Sequence, residues 1–290
     1  MKRLLLVLPF ALAACDGSVT EPNVIQAPVD PSLSISTSFG VFTYFDDFNL
    51  GTINGQQDWL SLGAVSGSCA KYDHAVVANT SAFRFFGAKS LRISNAVTSD
   101  CFSDQTFSAR TRNPAGEKGS ADGGFALPGG TLRNHFDAAW TFASTVPNAA
   151  QLGLSVVASP DRGDGSRMSW VQMTDATDGL AVNFFDVQGA TNPANFVEHF
   201  LVHGLNRARP HTIAIAMTFR NGPGNDVVRV YVDGVLRHTG KSWENYFRFD
   251  SEAAGIVPMV NRVLFRTAGT AATATAGKGF LIDNLVLATY

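Results

Sequence analysis

Short runs in which apolar and polar residues alternate recur along most of this 290-residue chain. In TLRNHFDAAWTFAS (131–144) the apolar residues Phe136, Ala138, Trp140 and Phe142 fall on one face. A side-chain period of two is typical of a β-strand with one buried face. Turn-type clusters of Gly, Asp, Asn and Pro separate further runs of this kind, which span 89–96, 151–159, 166–174, 180–187, 211–219, 260–268 and 280–289.

The segment VRVYVDGVLRHTG (228–240) predicts a β-hairpin. Asp233-Gly234 between two apolar runs is the strongest short-range signal for a two-residue type I′ turn. Simple pairing across that turn predicts a core face made by Val228, Val230, Val232 and Val235. The same pairing predicts an opposite face made by Arg229, Tyr231, Leu236 and His238. A ligand role for Arg229 or His238 is an alternative to packing.

The pattern as a whole predicts an all-β fold, an antiparallel two-sheet jelly-roll sandwich. Only WENYFR (243–248) is compatible with a turn of helix. The 22 Phe and 27 Gly residues and the low charged fraction of 16% favour strands joined by tight turns. The body from about residue 41 to 290 is expected to be one domain. With a net charge of −2 and no basic run, the chain is not expected to bind nucleic acid.

The first residues, MKRLLLVLPFALAAC, have the layout of an export signal. The apolar stretch is too short to span a bilayer. LAAC (12–15) resembles a bacterial lipobox, so we expect a lipoprotein signal peptide at 1–14, a lipid on Cys15 and a flexible tether over 15–40. The expected location is the bacterial cell envelope, periplasmic or surface-facing. The alternative is an ordinary signal peptide with a chance cysteine at its border.

Two further cysteines, Cys69 and Cys101, remain in the chain after Cys15. Disulfides persist in exported proteins, so a bridge between Cys69 and Cys101 is expected. On the chain-entropy model, closing such a loop stabilises the fold by roughly 3–4 kcal/mol. Neither cysteine has a CxxC or histidine partner that would indicate metal binding.

Three segments together carry a family resemblance: FDDFNLGTINGQQDW (45–59), the hairpin at 228–240, and FLIDNLVL (280–287). They resemble the concanavalin A-like lectin/glucanase superfamily, including its laminin G-like bacterial domains. The resemblance implies a sandwich with one concave sheet that binds or cleaves polysaccharide. It also implies a structural Ca²⁺ where the first and last strands meet, held by Asp47 or its neighbour Asp46 together with Asp283. The alternative is that Asp283 makes only turn or edge hydrogen bonds.

The catalytic motifs of that superfamily are missing. No strand carries the E-x-D-x-E pattern of the glucanases, and the R-x-E-L-R and Q-I-H motifs of the alginate-lyase branch are absent. The main expectation is therefore a membrane-anchored lipoprotein whose domain binds glycan without cleaving it. One alternative is a polysaccharide lyase or glycoside hydrolase with an atypical concave-face site. Another is a structural or adhesive envelope protein that binds a protein partner.

The polar faces of two predicted strands are the main candidate glycan site. Arg133, His135 and Asp137 share one face at i, i+2 and i+4, opposite the apolar row. Arg167 and Ser169 are expected to repeat this arrangement, with Trp170 on the core side. The alternative is a solvated outer face with a weak Arg–Asp pair. In an enzyme, His135 would act as the base, Arg133 would neutralise a carboxylate and a nearby tyrosine would act as the acid.

Trp243 and Tyr246, in GKSWENYFRFDS, are further candidates because aromatic rings stack on sugars. The alternative for these two residues is that they close one end of the sandwich together with Phe247 and Phe249.

Overall fold

The computed structural model describes residues 40–62, 71–79, 86–98, 104–117, 132–166, 169–241, 243–254, 258–267 and 269–290. The fold is an antiparallel two-sheet sandwich, which confirms the predicted fold class. The strands in chain order are β1 Gly40–Thr43, β2 Leu60–Ser61, β3 Asp73–Ala78, β4 Lys89–Ser94, β5 Gln105–Phe107, β6 Ala115–Gly116, β7 His135–Ser144, β8 Ser155–Asp161, β9 Trp170–Ala176, β10 Gly179–Val187, β11 Phe196–Leu205, β12 His211–Thr218, β13 Val227–Val232, β14 Val235–Gly240, β15 Met259–Val260, β16 Arg262–Thr267 and β17 Phe280–Thr289.

Two large sheets form the sandwich. Sheet one has the order β14-β13-β12-β7-β17-β4-β3, and β1 also pairs with β17. Sheet two has the order β11-β10-β9-β8-β16-β5-β2, while β15 and β6 form a separate small pair. The long strands β7 and β17 pair in the middle of sheet one, so the last residues of the chain lie beside the start of β7.

The apolar row of β7 forms the centre of the core, as the alternation predicts. Phe136, Trp140 and Phe142 are fully buried between the sheets. Phe265 of sheet two meets Trp140 edge to face, with ring centroids 5.8 Å apart. Each large aromatic ring removes a large apolar area from water, so this row contributes strongly to the stability of the sandwich.

The predicted hairpin is present, but its second strand contains a bulge. Asp233 and Gly234 have φ values of 51° and 75°, as a type I′ turn requires. A register shift follows: Tyr231 pairs with Leu236, whereas Val230 pairs with His238. The extra residue moves His238 to the inner face, so its predicted position on the outer face is wrong. Val235 is also exposed and does not join the core.

Strand β9 differs in phase from the prediction. It begins at Trp170, and Val171 and Met173 are the residues that point into the core. Trp170 is half-buried on the outer face, where it stacks on Phe185 at 5.1 Å between ring centroids. Trp170 and Val171 are adjacent apolar residues, so the alternation does not specify which of them faces the core. The prediction that Trp170 is a core residue is wrong.

A short helix, α1 (Trp243–Phe249), follows the hairpin, in agreement with the helical turn expected there. In the described part of the chain, no helix has the length and apolar character needed to cross a membrane.

Candidate functional site

Tyr290, the residue after β17, brings together two of the predicted site residues. His135 stacks on the Tyr290 ring with centroids 4.8 Å apart and planes at 6°. The Tyr290 hydroxyl donates to Asp137 Oδ2 at 2.9 Å. The backbone at His135 and Tyr290 forms reciprocal hydrogen bonds, which fix this alignment. His135 and Asp137 therefore share the outer face of sheet one, as predicted, and a tyrosine joins them.

The environment of His135 favours the neutral imidazole. Partial burial and the nearby charge of Arg220 lower its pKa. Nδ1 lies 3.0 Å from Asn134 Oδ1, which is an acceptor, so Nδ1 carries the proton. Nε2 is then left with a lone pair and can accept a proton.

Asp137 and Tyr290 form a proton-holding pair. Burial of the carboxyl group raises the pKa of Asp137 to about 6. Burial and the adjacent Asp137 carboxylate raise the pKa of Tyr290 as well. When Asp137 is protonated it can donate to the tyrosine oxygen, and the Tyr290 hydroxyl is released to donate elsewhere. A base and a proton donor thus lie side by side.

A cleft of about 660 Å³ lies at the end of β17, and His135, Asp137 and Tyr290 are not among its lining residues. Its lining includes Arg110, Arg112, Asn113 and Thr289, the residue before Tyr290. Thr289 Oγ1 donates to the backbone oxygen of Asn113 at 2.7 Å, which ties the arginine-bearing segment to β17. Both arginines are exposed, and guanidinium groups bind carboxylates well. The Asp58 carboxylate also lines the cleft and pairs with Arg110 at 3.2 Å, so two guanidinium groups and one carboxylate give the lining a net positive charge.

The other members of the predicted polar row are less informative. Arg133 precedes β7, is half-buried and forms a backbone bridge with Ala115. Ser169 is 1% exposed and cannot reach a ligand on the surface. Arg167 lies outside the described residues. The two strands therefore do not form one continuous polar site, because β7 belongs to sheet one and β9 to sheet two.

Trp243 and Tyr246 are not available to stack on a sugar. Trp243 is fully buried and Tyr246 is 2% exposed. Trp243 Nε1 donates to the Asp226 carboxylate, and its ring packs on Phe219 and Phe247. The binding role expected for these two side chains is wrong, because α1 turns both of them into the protein; the packing alternative describes their position.

Of the residues expected to hold calcium, Asp46 lies close enough to Asp283 for its charge to raise the pKa of Asp283. Asp47 is exposed, whereas Asp283 is buried and accepts from Ser90 Oγ at 2.8 Å. Burial raises the pKa of Asp283 to about 6. Lys89 Nζ already binds the backbone oxygens of Asp46 and Phe48 in this region. The calcium site stays a prediction, without support from these contacts.

Two groups of metal-binding side chains occur among the described residues, and sequence reasoning identified neither. One consists of Asp186, His199 and His238. The other consists of Glu117, Asp226 and Glu244, all buried. Burial and neighbouring carboxyl groups raise the pKa values of Glu117 and Asp226 to about 7. Arg248 binds both glutamates of the second group, which gives that group its own counter-ion.

Cys15, Cys69 and Cys101 all lie outside the described residues. The lipidation and the disulfide therefore remain predictions.

Comparison with known proteins yields structural neighbours only. No family model and no curated protein matches the chain. Alginate lyase Aly36B in complex with alginate trisaccharide is 9% identical, with 87% of this chain and 98% of that chain covered and a TM-score of 0.46. An endo-β-1,4-glucuronan lyase from Trichoderma reesei is 11% identical, with 88% and 96% covered and a TM-score of 0.41. The Emp47p carbohydrate recognition domain is 10% identical, with 88% and 96% covered and a TM-score of 0.41.

At these identities and TM-scores the likeness concerns the fold alone. The main functional expectation, a domain that binds glycan without cleaving it, is corrected by these findings. Alginate and glucuronan lyases stand among these structural neighbours, beside a carbohydrate recognition domain.

Proposed function

We propose that this protein is a polysaccharide lyase that cleaves a uronate-containing polymer by β-elimination at the His135–Tyr290 pair. The observation that carries the proposal is the arrangement of three groups in contact. The His135 imidazole stacks on the Tyr290 ring, and the Tyr290 hydroxyl donates to the Asp137 carboxyl group, whose pKa is raised. A base and an acid held side by side are what an elimination across adjacent sugar carbons needs.

In the proposed step, His135 Nε2 removes the proton from C5 of the uronate. The electron pair of that C–H bond forms the C4–C5 double bond as the C4–O4 bond breaks. The leaving O4 takes the proton of the Tyr290 hydroxyl. A protonated Asp137 then donates its own proton to the Tyr290 oxygen. No water is consumed in this step. Because negative charge develops at C5 as its proton leaves, the charge of the uronate carboxylate must be neutralised.

Arginine side chains provide the positive charge for this substrate. Arg220 is close enough to His135 to lower its pKa, and Arg133 lies two residues before His135. Arg110 and Arg112 line the cleft at the end of β17, where they would bind carboxylates of other sugar units of the polymer. A neutral glycan would gain little from such a surface, so the proposal favours anionic polymers.

A turnover screen tests the proposal. The full-length protein is incubated with alginate, polyglucuronate and a neutral β-glucan, and unsaturated uronate ends are measured by ultraviolet absorbance. We expect product from at least one uronate polymer and none from the neutral glucan. His135→Ala is expected to lose activity, whereas His203→Ala, which alters an exposed histidine of β11, is expected to keep it. Equal activity of the two variants would contradict the assignment.

For the first residues of the chain, we propose the lipid-anchored export expected from LAAC (12–15). Mass spectrometry of the mature protein made in a bacterial host tests this. Wild-type protein should begin at an acylated Cys15, and Cys15→Ser should remain unacylated. An unmodified mature terminus in the wild-type protein would contradict the proposal.

A further inference from the structure

Three side chains with metal-binding atoms meet where one edge of sheet one approaches one edge of sheet two. Asp186 lies near the end of β10, and His199 follows on the paired edge strand β11. His238 comes from β14, the edge strand of the opposite sheet. The three side chains converge only because the bulge in β14 turns His238 inward. This cluster is separate from the His135–Tyr290 pair.

The ligand atoms of the cluster are closely spaced. Nε2 of His199 lies 2.9 Å from Asp186 Oδ1, and Nε2 of His238 lies 3.5 Å from Asp186 Oδ2. The two imidazole rings are 4.2 Å apart between centroids. Ligands of a tetrahedral ion with bonds of 2.0–2.1 Å are separated by about 3.3 Å. With one ligand atom taken from each residue, all three atoms lie within 4.8 Å of one another, close to this spacing.

Two features around the cluster leave room for an ion. Nε2 of His238 is buried and forms no hydrogen bond. Gly240 lies next to it, and a Cβ atom at this position would be 2.5 Å from Asp186 Oδ2 and 2.9 Å from His238 Nε2. The missing side chain therefore keeps space open beside two of the three ligand groups. Gln188 Nε2 donates to Asp186 Oδ1 at 2.5 Å and orients the carboxylate.

We propose that Asp186, His199 and His238 bind a divalent transition metal ion of the zinc class. Two imidazoles and one carboxylate are a donor set that zinc accepts, with a fourth position left for water or another ligand. The histidine side chains are 28% and 16% exposed, so an ion can enter from solvent. The bound ion would link β10 and β11 of sheet two to β14 of sheet one and hold the two edges together.

Zinc titration of the full chain, purified without a polyhistidine tag and stripped with a chelator, tests the proposal. We expect one zinc ion per chain and a zinc-dependent rise in Tm. His238→Ala and Asp186→Asn should weaken zinc binding at least tenfold and abolish the rise. His203→Ala, on the same strand as His199, is the matched control and should bind zinc like the wild type. Wild-type zinc affinity in His238→Ala, or no stoichiometric binding in the wild type, would overturn the proposal.

A second measurement needs no variant, so it applies even if His238→Ala does not fold. X-ray absorption at the zinc edge of the loaded wild-type protein reports the first ligands. Two imidazole nitrogens in the coordination sphere support the site. A spectrum without histidine ligands overturns it.

Discussion

His135 and Tyr290 stack almost in parallel, although 155 positions separate them in the chain. The pairing of β7 with β17 produces this contact, and the Tyr290 hydroxyl extends it to Asp137. The proposed elimination depends on these three side chains.

Removing the Tyr290 hydroxyl should stop proton donation without disturbing the stack. Tyr290→Phe retains a ring on His135, so the fold and substrate binding should be preserved. We expect kcat to fall by about 100- to 10,000-fold, the usual contribution of a positioned acid or base. Tyr72→Phe, which changes the tyrosine just before β3 whose ring meets His74, is the control and should leave kcat unchanged. A Tyr290→Phe enzyme with wild-type kcat would remove Tyr290 from the mechanism.

The pH dependence of kcat/KM should be bell-shaped with its maximum on the acidic side of neutrality. Activity needs neutral His135, whose pKa is lowered below its usual 6.5, and therefore increases as pH rises through that pKa. It also needs protonated Asp137, whose pKa is raised to about 6, and therefore declines above that pH. Asp137→Asn cannot supply this proton, so it should lower the maximum and eliminate the alkaline decline assigned to Asp137. A wild-type profile that keeps rising beyond pH 8 would contradict these roles.

The arginines of the cleft should act on binding more than on chemistry. Arg110→Ala and Arg112→Ala each remove an exposed guanidinium group from the cleft lining. We expect KM for an anionic polymer to rise several-fold with little change in kcat, and the effect should shrink at high salt because exposed charges are screened. Arg237→Ala, an exposed arginine of the edge strand β14, should leave KM unchanged. An equal rise in KM for Arg237→Ala would indicate nonspecific charge attraction instead.

Arg248 should be important for stability because it is the counter-ion of buried carboxylates. Its guanidinium group contacts Glu117 at 2.6 Å and Glu244 at 3.4 Å. Arg248→Ala leaves these acids without that partner, and we expect the free energy of unfolding to fall by about 3–5 kcal/mol. Breaking the exposed Arg110–Asp58 pair with Arg110→Ala should cost less than about 1 kcal/mol. Chemical denaturation of both variants measures the difference, and similar losses would contradict it.

The same acidic group should make stability depend on pH. The pKa values of Glu117 and Asp226 are raised to about 7 in the folded protein, from 4.5 and 3.8. Between these values the folded state binds more protons than the unfolded state, so the free energy of unfolding declines as pH rises from about 4 to about 7. Glu117→Gln should reduce this decline, as measured by urea midpoints across the range. An unchanged slope in Glu117→Gln would show that Glu117 does not hold the proton.

Local patterning predicted the fold of this chain because burial of one strand face leaves a period-two signal. The β7 core row and the Asp233-Gly234 turn are direct examples. The bulge in β14 could not be predicted, since one extra residue in a strand leaves no clear pattern. The burial of Trp243 and Tyr246 depends on which face of α1 turns towards the core. The short sequence of α1 mixes apolar and polar residues and does not specify that face.

The candidate site was half predictable. Alternation along β7 placed His135 and Asp137 on one face, and both are there. Tyr290 joins them through long-range strand pairing, which the local sequence does not encode. Asp186, His199 and His238 come from three strands in two sheets, so no spacing along the chain indicates their convergence.

Cleavage of a uronate polymer in isotopically labelled water tests the central claim most directly, because hydrolysis adds water oxygen to the product and elimination does not. Mass spectrometry of the oligosaccharides should show unsaturated ends without the heavy isotope for the wild-type protein, and at least about 100-fold less product for Tyr290→Phe at the same enzyme concentration and time. Saturated products that carry the label, or no cleavage of any uronate polymer, would contradict a lyase site at His135 and Tyr290.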